Sequence, residues 1–236
     1  MTSCKNSLLF RICSFCPKEG PEHVSKYHEW MKDPNLLDVT GSEPLSYDEE
    51  VEMQQSWRDD PKKCTFIVLA KDLITDDDIK LGFQNDFVTT ITIAEHISAM
   101  VGDVNLFLSD IDDDVDEEHM IQHGEGVGNQ NKKAKVQAEI DIMIAERDYQ
   151  RKGLGRAATC TMLLYGARNL DIVRFFCKIK ESNHGSIEMF KSLGFQQCAY
   201  AECFKEVELE LKFKSVIEIE TLLGQYGQYK VISCPQ

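Results

Sequence analysis

The pattern of apolar and polar positions divides the chain into a helical first part and a strand-rich second part. Apolar positions between residues 22 and 31 follow a helical period, and Pro21 suits the first turn of that helix. A second helix is predicted from Ser46 to about residue 57, because Ser46 and Glu49 form a capping-box pair. Residues 35 to 45, between the two, are predicted to be a loop.

Apolar runs of strand length recur along the rest of the chain, separated by helical patterns. Continuous apolar runs predict buried strands, and strict alternation of apolar and charged residues predicts a half-exposed strand. The predicted strands are residues 64 to 70, 100 to 108, 138 to 146, 172 to 180 and 207 to 213. Helices are predicted from Leu154 to about Asn169 and over residues 183 to 193, where Gly194 supplies a left-handed cap. This order predicts a mixed α/β sheet domain.

Two segments interrupt the pattern. Residues 71 to 99 have no firm assignment and are interpreted as an insertion. Residues 109 to 137 lack apolar periodicity over a length that is unusual for an ordered loop, so we predict disorder there. The tail over residues 214 to 236 is left undetermined. We therefore expect one domain over residues 1 to 236, with a core at about 20 to 213 and two flexible insertions.

Charge and cysteine content narrow the class of protein. The chain carries 26 basic and 40 acidic residues, and the resulting net charge of -14 repels nucleic acid and anionic membranes. No apolar run reaches the roughly 18 residues of a membrane span, and Arg11 interrupts the apolar patch near the start. Nine scattered cysteines fit a reducing compartment. We expect a protein of the cytosol or nucleus, without nucleic-acid or membrane partners.

A glycine-containing segment between a predicted strand and a predicted helix has the features of an anion site. Gly153 and Gly155 allow a ligand to approach the backbone, and the N–H groups at a helix start bind pyrophosphate. Three neighbouring cations stand out in an acidic chain: Arg151, Lys152 and Arg156. The plain alternative is a strand-to-helix turn with ordinary surface cations. Neither a Walker loop nor the three-glycine dinucleotide fingerprint matches this spacing.

The spacing Q-x-x-G-x-G from Gln150 to Gly155 resembles the cofactor signature of the GNAT acetyltransferases. A second block, residues 183 to 195, resembles that family's N-x-x-[SA]-x-x-[LM]-[YF]-x-x-x-G-F element. Further segments are similar to the N-acetyltransferase 9-like branch, itself near the bacterial ribosomal-protein N-acetyltransferases: EHVSKYHEWM at 22 to 31, SEPLS at 42 to 46, KCTFIVLA at 63 to 70, VGDVNLFL at 101 to 108 and EIDIMIAE at 139 to 146. The resemblance covers roughly residues 20 to 213 without the two insertions, and a first strand around residues 8 to 14 matches poorly.

The resemblance implies a GNAT fold, a mixed and mostly antiparallel sheet flanked by helices. It implies acetyl-CoA as co-substrate and direct attack by an amine in a ternary complex, with a protein or peptide acceptor reached through residues 35 to 45. Backbone N–H groups near Ile144 and Glu146 are implied to hold the pantetheine, with Asn183 and Phe190 beside it. The cofactor loop is implied to comprise Gln150, Arg151, Lys152, Gly153, Leu154, Gly155 and Arg156. A helix cap is the alternative role for Asn183, and core packing for Phe190.

Acetyl transfer requires a group that takes a proton from the acceptor amine. Glu139 and Asp141 lie on one face of a predicted strand and are the candidate bases, with Glu139 preferred; a solvated strand-edge carboxylate is the alternative for Glu139. At neutral pH roughly a tenth of an α-amine is unprotonated, against about four lysine side chains in ten thousand. Many family members have a Tyr in place of Phe190, which has no hydroxyl to protonate the leaving thiolate.

Two other functions stay open at this point. The acceptor could be a small-molecule amine, or the fold could serve as an interaction module that binds CoA without efficient turnover or binds another protein without CoA. No metal site is predicted. Asp110, Asp112 and Asp114 mimic a calcium loop only in part, because Val115 replaces its glycine. The pair Cys13-x-x-Cys16 lacks a matching second pair for zinc.

Overall fold

Three short helices precede a β-sheet and cover one of its faces. The computed structural model describes residues 23 to 74, 97 to 111 and 135 to 224. The helices are α1 (Val24–Trp30), α2 (Pro34–Thr40) and α3 (Tyr47–Asp59). Helix α1 packs on α3, and α3 packs on the first strand of the sheet.

The sheet of the described chain has six strands in the order β1-β2-β3-β4-β6-β5. The strands are β1 (Lys63–Leu69), β2 (Met100–Asp110), β3 (Val136–Ile144), β4 (Ile172–Lys180), β5 (Gln196–Ala201) and β6 (Glu206–Lys212). Neighbouring strands are antiparallel except β3 and β4, which are parallel. The β3–β4 ladder runs only from Val136↔Ile172 to Glu139↔Phe176. Beyond that pair the two strands separate and leave a gap.

The other face of the sheet holds the larger core. Helix α4 (Leu154–Asn169) packs on β2, β3 and β4, and α6 (Val216–Gly224) packs on α4. Helix α5 (His184–Ser192) follows β4. Leu106, Ile140, Phe175 and Leu209 point from four strands into this core and are at most 2% exposed. A second apolar cluster forms under α1 and α2 and includes Trp30. The sheet is therefore buried by helices on both faces, at least over its first three strands.

Most predicted elements are confirmed, with ends that shift by a few residues. The helix over residues 154 to 169 and the strand over 172 to 180 have the predicted bounds. Ser46 and Glu49 make both bonds of the predicted capping box at the start of α3. Gly194 has a φ of 96° and ends α5 in the left-handed conformation. The alternating strand is confirmed as β6.

The predicted loop over residues 35 to 45 is wrong, because α2 occupies most of it. Asp33 caps α2 by accepting from Asn35 N–H (2.9 Å), Pro34 suits the first turn, and Gly41 ends the helix with a φ of 63°. Turn-forming residues were interpreted as evidence for a loop, but in the structure they mark the two ends of a helix.

Strand β5 was not predicted, and the tail contains α6. Every residue of β5 except Ala201 is exposed, so the strand is held by backbone bonds at the sheet edge and shows no apolar alternation. Strand β2 extends to Asp110 and β3 begins at Val136, so the segment predicted as disordered is too long at both ends. The rest of that segment lies outside the described residues, as do residues 75 to 96 of the other insertion and the strand considered at 8 to 14. Among the described helices, none has the length and apolar content to cross a membrane.

Candidate active site

The predicted cofactor loop begins where β3 and β4 separate. A single 3₁₀ turn, Arg147–Tyr149, leads from the strand to the loop. Gln150 then folds back, and its side-chain Nε2–H donates to the carbonyl oxygen of Ile144 (2.8 Å). This hydrogen bond joins the loop to the last residue of β3, next to the gap between β3 and β4.

The start of α4 has the backbone geometry of an anion site. Gly153 is the N-cap residue with a φ of 85°, a conformation that favours glycine, and it offers the first turn no side-chain acceptor. The first N–H groups of a helix lack intrahelical acceptors, and the helix dipole adds positive potential. Arg151 and Lys152 are exposed beside them, Arg156 is half-buried, and the buried Leu154 anchors the helix. The arrangement suits a pyrophosphate.

Gly155 lies where three elements meet. A Cβ atom on this glycine would lie 3.7 Å from Ile144 Cγ1 and 3.8 Å from Met189 Sδ. The end of β3, the first turn of α4 and the middle of α5 therefore approach one another at Gly155, and we refer to the space beside this glycine as the cleft. Met189 occupies the [LM] position of the second motif but was not predicted as a site residue.

Two residues of the second motif adopt the alternative roles considered for them. Asn183 is the N-cap of α5, and its side-chain oxygen accepts from Ser186 N–H (3.2 Å). Phe190 is 2% exposed and packs edge-on against Phe195, with 5.0 Å between ring centroids. Contacts of either residue with a cofactor stay a prediction.

One of the backbone N–H groups predicted to hold pantetheine already has a hydrogen-bond partner within the protein. Glu146 N–H donates to the carbonyl oxygen of Val101 (3.2 Å), so this donor is already engaged within the sheet. The Glu146 side chain accepts from Trp30 Nε1–H (2.9 Å) and lies 3.3 Å from Lys26 Nζ. The carbonyl oxygen of Ile144 is taken by Gln150. Glu146 thus joins α1 to the strand that leads into the cofactor loop.

The two candidate bases lie on the sheet face opposite α4 and have different surroundings. Glu139 is half-buried and pairs with Lys178 on β4, 3.1 Å from carboxylate to ammonium. Asp141 is exposed, yet the protein around it raises the pKa of its carboxyl through desolvation, with a contribution from Glu139. Asp141 is therefore accessible to solvent, while the protein around it disfavours its charged form.

A buried carboxylate lies beside Asp141, and the sequence analysis did not name it. Asp103 on β2 is 5% exposed and accepts a hydrogen bond from Asn105 Nδ2–H (3.2 Å). Burial raises the pKa of Asp103 to about 7, and the charge of Asp141 adds to the shift. Strand β2 is a mostly apolar run in the sequence. An acidic residue within such a run, here Asp103, indicates a buried carboxylate and could have been noticed.

Two distant parts of the chain are bound to the end of β4, the strand that carries the Lys178 partner of Glu139. Lys180 at the end of β4 pairs with Asp38 of α2, which brings the arm over residues 31 to 46 across the sheet. On the other side, Glu181 N–H donates to the carbonyl oxygen of Lys205 in the β5–β6 turn (2.8 Å). Phe204 in that turn is 67% exposed. We refer to the sheet surface that carries Glu139 and Asp141, with α2 and the β5–β6 turn bound to the end of β4 beside it, as the acidic groove.

The chain is similar to known proteins over most of its length. A family model described as "Acetyltransferase (GNAT) domain" matches residues 20 to 196. The chain is 41% identical to the alpha/beta-tubulin-N-acetyltransferase 9 of Homo sapiens over 191 residues, which are 80% of this chain and 75% of that protein. It is 34% identical to an N-acetyltransferase 9-like protein of Caenorhabditis elegans over 231 residues, 94% of this chain and 95% of that protein.

Solved structures share the fold at low sequence identity. A spermidine N-acetyltransferase from Vibrio cholerae, in complex with CoA and spermine, superimposes with a TM-score of 0.57 at 15% identity, over 89% of this chain and 98% of that one. The predicted fold class is thereby confirmed. Acetyl transfer to an amine follows from the family match and the relatives. The chain belongs to the GNAT acetyltransferase family, in its N-acetyltransferase 9-like branch.

Proposed function

We propose that this chain transfers the acetyl group of acetyl-CoA to an amine of a protein, and that the protein is tubulin. The observation that carries the proposal is the acidic groove, which borders the gap between β3 and β4. The cofactor loop opens at the same gap from the α4 side. A thioester that enters from one side thus meets an amine that enters from the other.

The residues of the loop fit the parts of acetyl-CoA. The first turn of α4 with its glycine cap suits the pyrophosphate, and exposed Arg151 and Lys152 add positive charge. The cleft at Gly155 is lined by the apolar atoms of Ile144 and Met189, which suits a pantetheine chain. A side chain on Gly155 would fill that cleft, so the glycine matches the need for space.

The exposure of the acidic groove favours a protein or peptide acceptor over a small-molecule amine that would be enclosed. Asp141 in this groove is exposed, and α2 and the β5–β6 turn with the exposed Phe204 lie beside it. Carboxylates in the groove attract the positive charge of an ammonium group. Among the relatives, the human protein is named for α- and β-tubulin, which supports tubulin as the acceptor.

The bond changes follow from a direct attack. The acceptor ammonium loses one proton, its nitrogen forms a bond to the acetyl carbonyl carbon, and the carbon–sulfur bond breaks with its electron pair on sulfur. The nitrogen then releases a second proton, and the thiolate is protonated from solvent, since buried Phe190 has no hydroxyl. An acetylated cysteine is disfavoured as an intermediate, because burial raises the pKa of the Cys64 thiol to about 12 and also raises that of Cys177.

The state of the cysteine thiols is relevant to the cellular compartment of the protein. Cys64, Cys177, Cys198 and Cys203 are free thiols in the described part of the chain. Free exposed thiols such as Cys203 are compatible with the cytosol or nucleus, where tubulin as an intracellular acceptor would be met.

We expect Asp141→Asn to slow turnover more than Glu139→Gln does. Asp141 is exposed in the acidic groove, whereas Glu139 is engaged by Lys178. For an α-amine, of which roughly a tenth is neutral at pH 7, loss of the base should lower kcat about tenfold. Steady-state kinetics with purified tubulin measure both variants. Equal rates for wild type and Asp141→Asn would contradict the assignment, and a loss of about 1000-fold would indicate a lysine acceptor.

The acceptor is tested by direct competition. The purified chain is incubated with acetyl-CoA, purified α/β-tubulin dimers and spermidine, and acetylated products are identified by mass spectrometry. We expect acetylated tubulin. Acetylated spermidine alone would establish a small-molecule acetyltransferase instead. Acetyl-CoA binding by calorimetry without any acetylated product would favour the non-catalytic interaction module.

A further inference from the structure

A small pocket with both apolar and polar lining residues lies beneath α1 and α3, on the same sheet face as the acidic groove. The pocket has a volume of about 30 Å³ and is lined by His23, Val24, Tyr27, Glu50, Met53, Gln54, Trp57, Thr65, Ile67 and Asp103. One water molecule needs roughly 10 to 15 Å³ of such space. The pocket therefore has room for water next to the Asp103 carboxylate.

Two buried polar atoms beside Asp103 have no hydrogen-bond partner among the described residues. They are Thr65 Oγ1 and Asn105 Oδ1, on residues that are 6% and 3% exposed. Thr65 lines the pocket, and Asn105 holds Asp103 through its other side-chain atom. Buried polar atoms of this kind are satisfied by ordered water in folded proteins. The pocket is thus suited to hold water in contact with Asp103.

The sheet register places this pocket next to Asp141. Asn105 is paired with Asp141 across β2 and β3, while Asp103 is paired with Met143. Asp103 and Asp141 are therefore diagonal neighbours on one face, a separation that one or two water molecules can bridge. From the acidic groove inward, the polar groups follow the order Asp141, Asp103 and then the pocket.

We propose that Asp103 takes up the proton that the acceptor amine releases, by way of Asp141, and that water in the pocket behind Asp103 stabilises its carboxylate. The proposal rests on the proposed function and assigns a second residue to the same reaction. One proton passes from the acceptor nitrogen to the Asp103 carboxylate and leaves a neutral amine. Between turnovers Asp103 returns the proton to solvent along the same path. Asp103 touches no reacting atom and acts through Asp141.

The surroundings of Asp103 decide in which pH range it can act. The titratable groups around Asp103 are His23, which precedes α1, Tyr27 from α1, Glu50 from α3 and Asp141 from β3. The residues of β1 that line the pocket are Thr65 and Ile67, which do not titrate. Glu50 is itself paired with His28 (3.0 Å). Since the pKa of Asp103 is raised to about 7, the carboxylate accepts protons above that pH and is already protonated below it.

The test compares Asp103→Asn with wild type over about pH 5.5 to 8.5, with purified tubulin as acceptor. The titration of the acceptor is common to both proteins and cancels in the ratio of their kcat/KM values. We expect a ratio near one at the acid end that rises to about tenfold, with its midpoint near pH 7. Asp110→Asn, the same change at an exposed position of β2, should give a ratio of one throughout. A ratio that does not change with pH would overturn the proposal.

Two further measurements separate the possible failures. Acetyl-CoA affinity of Asp103→Asn should equal that of wild type, so a loss of binding in this variant would indicate a structural role and overturn the proposal. Asp141→Asn changes an exposed residue and removes the group through which Asp103 acts, so adding Asp103→Asn to this variant should not change kcat/KM at any pH. A further pH-dependent loss in the double variant would also overturn the proposal. If tubulin is not acetylated by the wild-type protein, the proposed function fails instead.

Discussion

Replacement of Gly155 by Trp should weaken acetyl-CoA binding by more than about 1000-fold, a loss of about 4 kcal/mol. Gly155 lies in the first turn of α4, and the space beside it is bounded by Ile144 and Met189 at 3.7 and 3.8 Å from a built Cβ atom. An indole group there occupies the cleft that the pantetheine needs and covers the N–H groups of the helix start. Isothermal titration calorimetry with acetyl-CoA measures the affinity.

The matched control is Gly155→Ala at the same position. Its Cβ atom meets both neighbours at ordinary van der Waals distances, so the fold needs no adjustment and the affinity should fall far less than in the Trp variant. Circular dichroism and urea unfolding establish that each variant is folded. A folded Gly155→Trp protein with nearly wild-type affinity would refute the location of the cofactor cleft.

Replacement of Gly102 by Ala should lower the free energy of unfolding by about 3 kcal/mol. Gly102 on β2 is paired with Ile144 on β3, and a Cβ atom at this position would lie 2.0 Å from the carbonyl oxygen of Met143. Backbone atoms on a neighbouring strand cannot rotate away as a side chain does, so β2 and β3 must move apart. Urea unfolding followed by circular dichroism measures the change.

Gly185→Ala in α5 provides the control of opposite sign. No atom lies within 4 Å of its built Cβ, and alanine is the better helix former, so this variant should be more stable by about 0.5 to 1 kcal/mol. Equal stabilities of Gly102→Ala and wild type would show that the β2–β3 pairing is looser than the structure has it. Because Ile144 also borders the cofactor cleft, Gly102→Ala should weaken acetyl-CoA binding as well.

The order of the elements could be predicted because each carries a local signal. Helix α4 shows its apolar period, β4 is a continuous apolar run, and Gly194 marks the end of α5. Helix α2 was missed because Asp33, Pro34 and Gly41 are signals of both turns and helix ends. Strand β5 was missed because an exposed edge strand has no buried face, and its pairing with β6 is made by backbone atoms that the sequence does not distinguish.

The candidate site could be predicted only where its parts are contiguous in the chain. The loop from Gln150 to Arg156 has its glycines, its cations and its helix start in one segment, and the left-handed φ of Gly153 agrees with that reading. Glu139 and Asp141 could be named from alternation along one strand. The difference between their surroundings could not be predicted, because the partner of Glu139 is Lys178, on a strand that is remote in sequence.

The sequence by itself determined the family, and it predicted the cofactor loop and the face of the strand that carries the two candidate bases. Only the tertiary structure decided that Asp103 lies beside Asp141 and that α1 and α3 form a small pocket next to it. Register between strands fixes which residues become neighbours, and burial fixes which carboxylate is deprived of water. Both depend on contacts between segments far apart in the chain, and so neither is written in a local pattern.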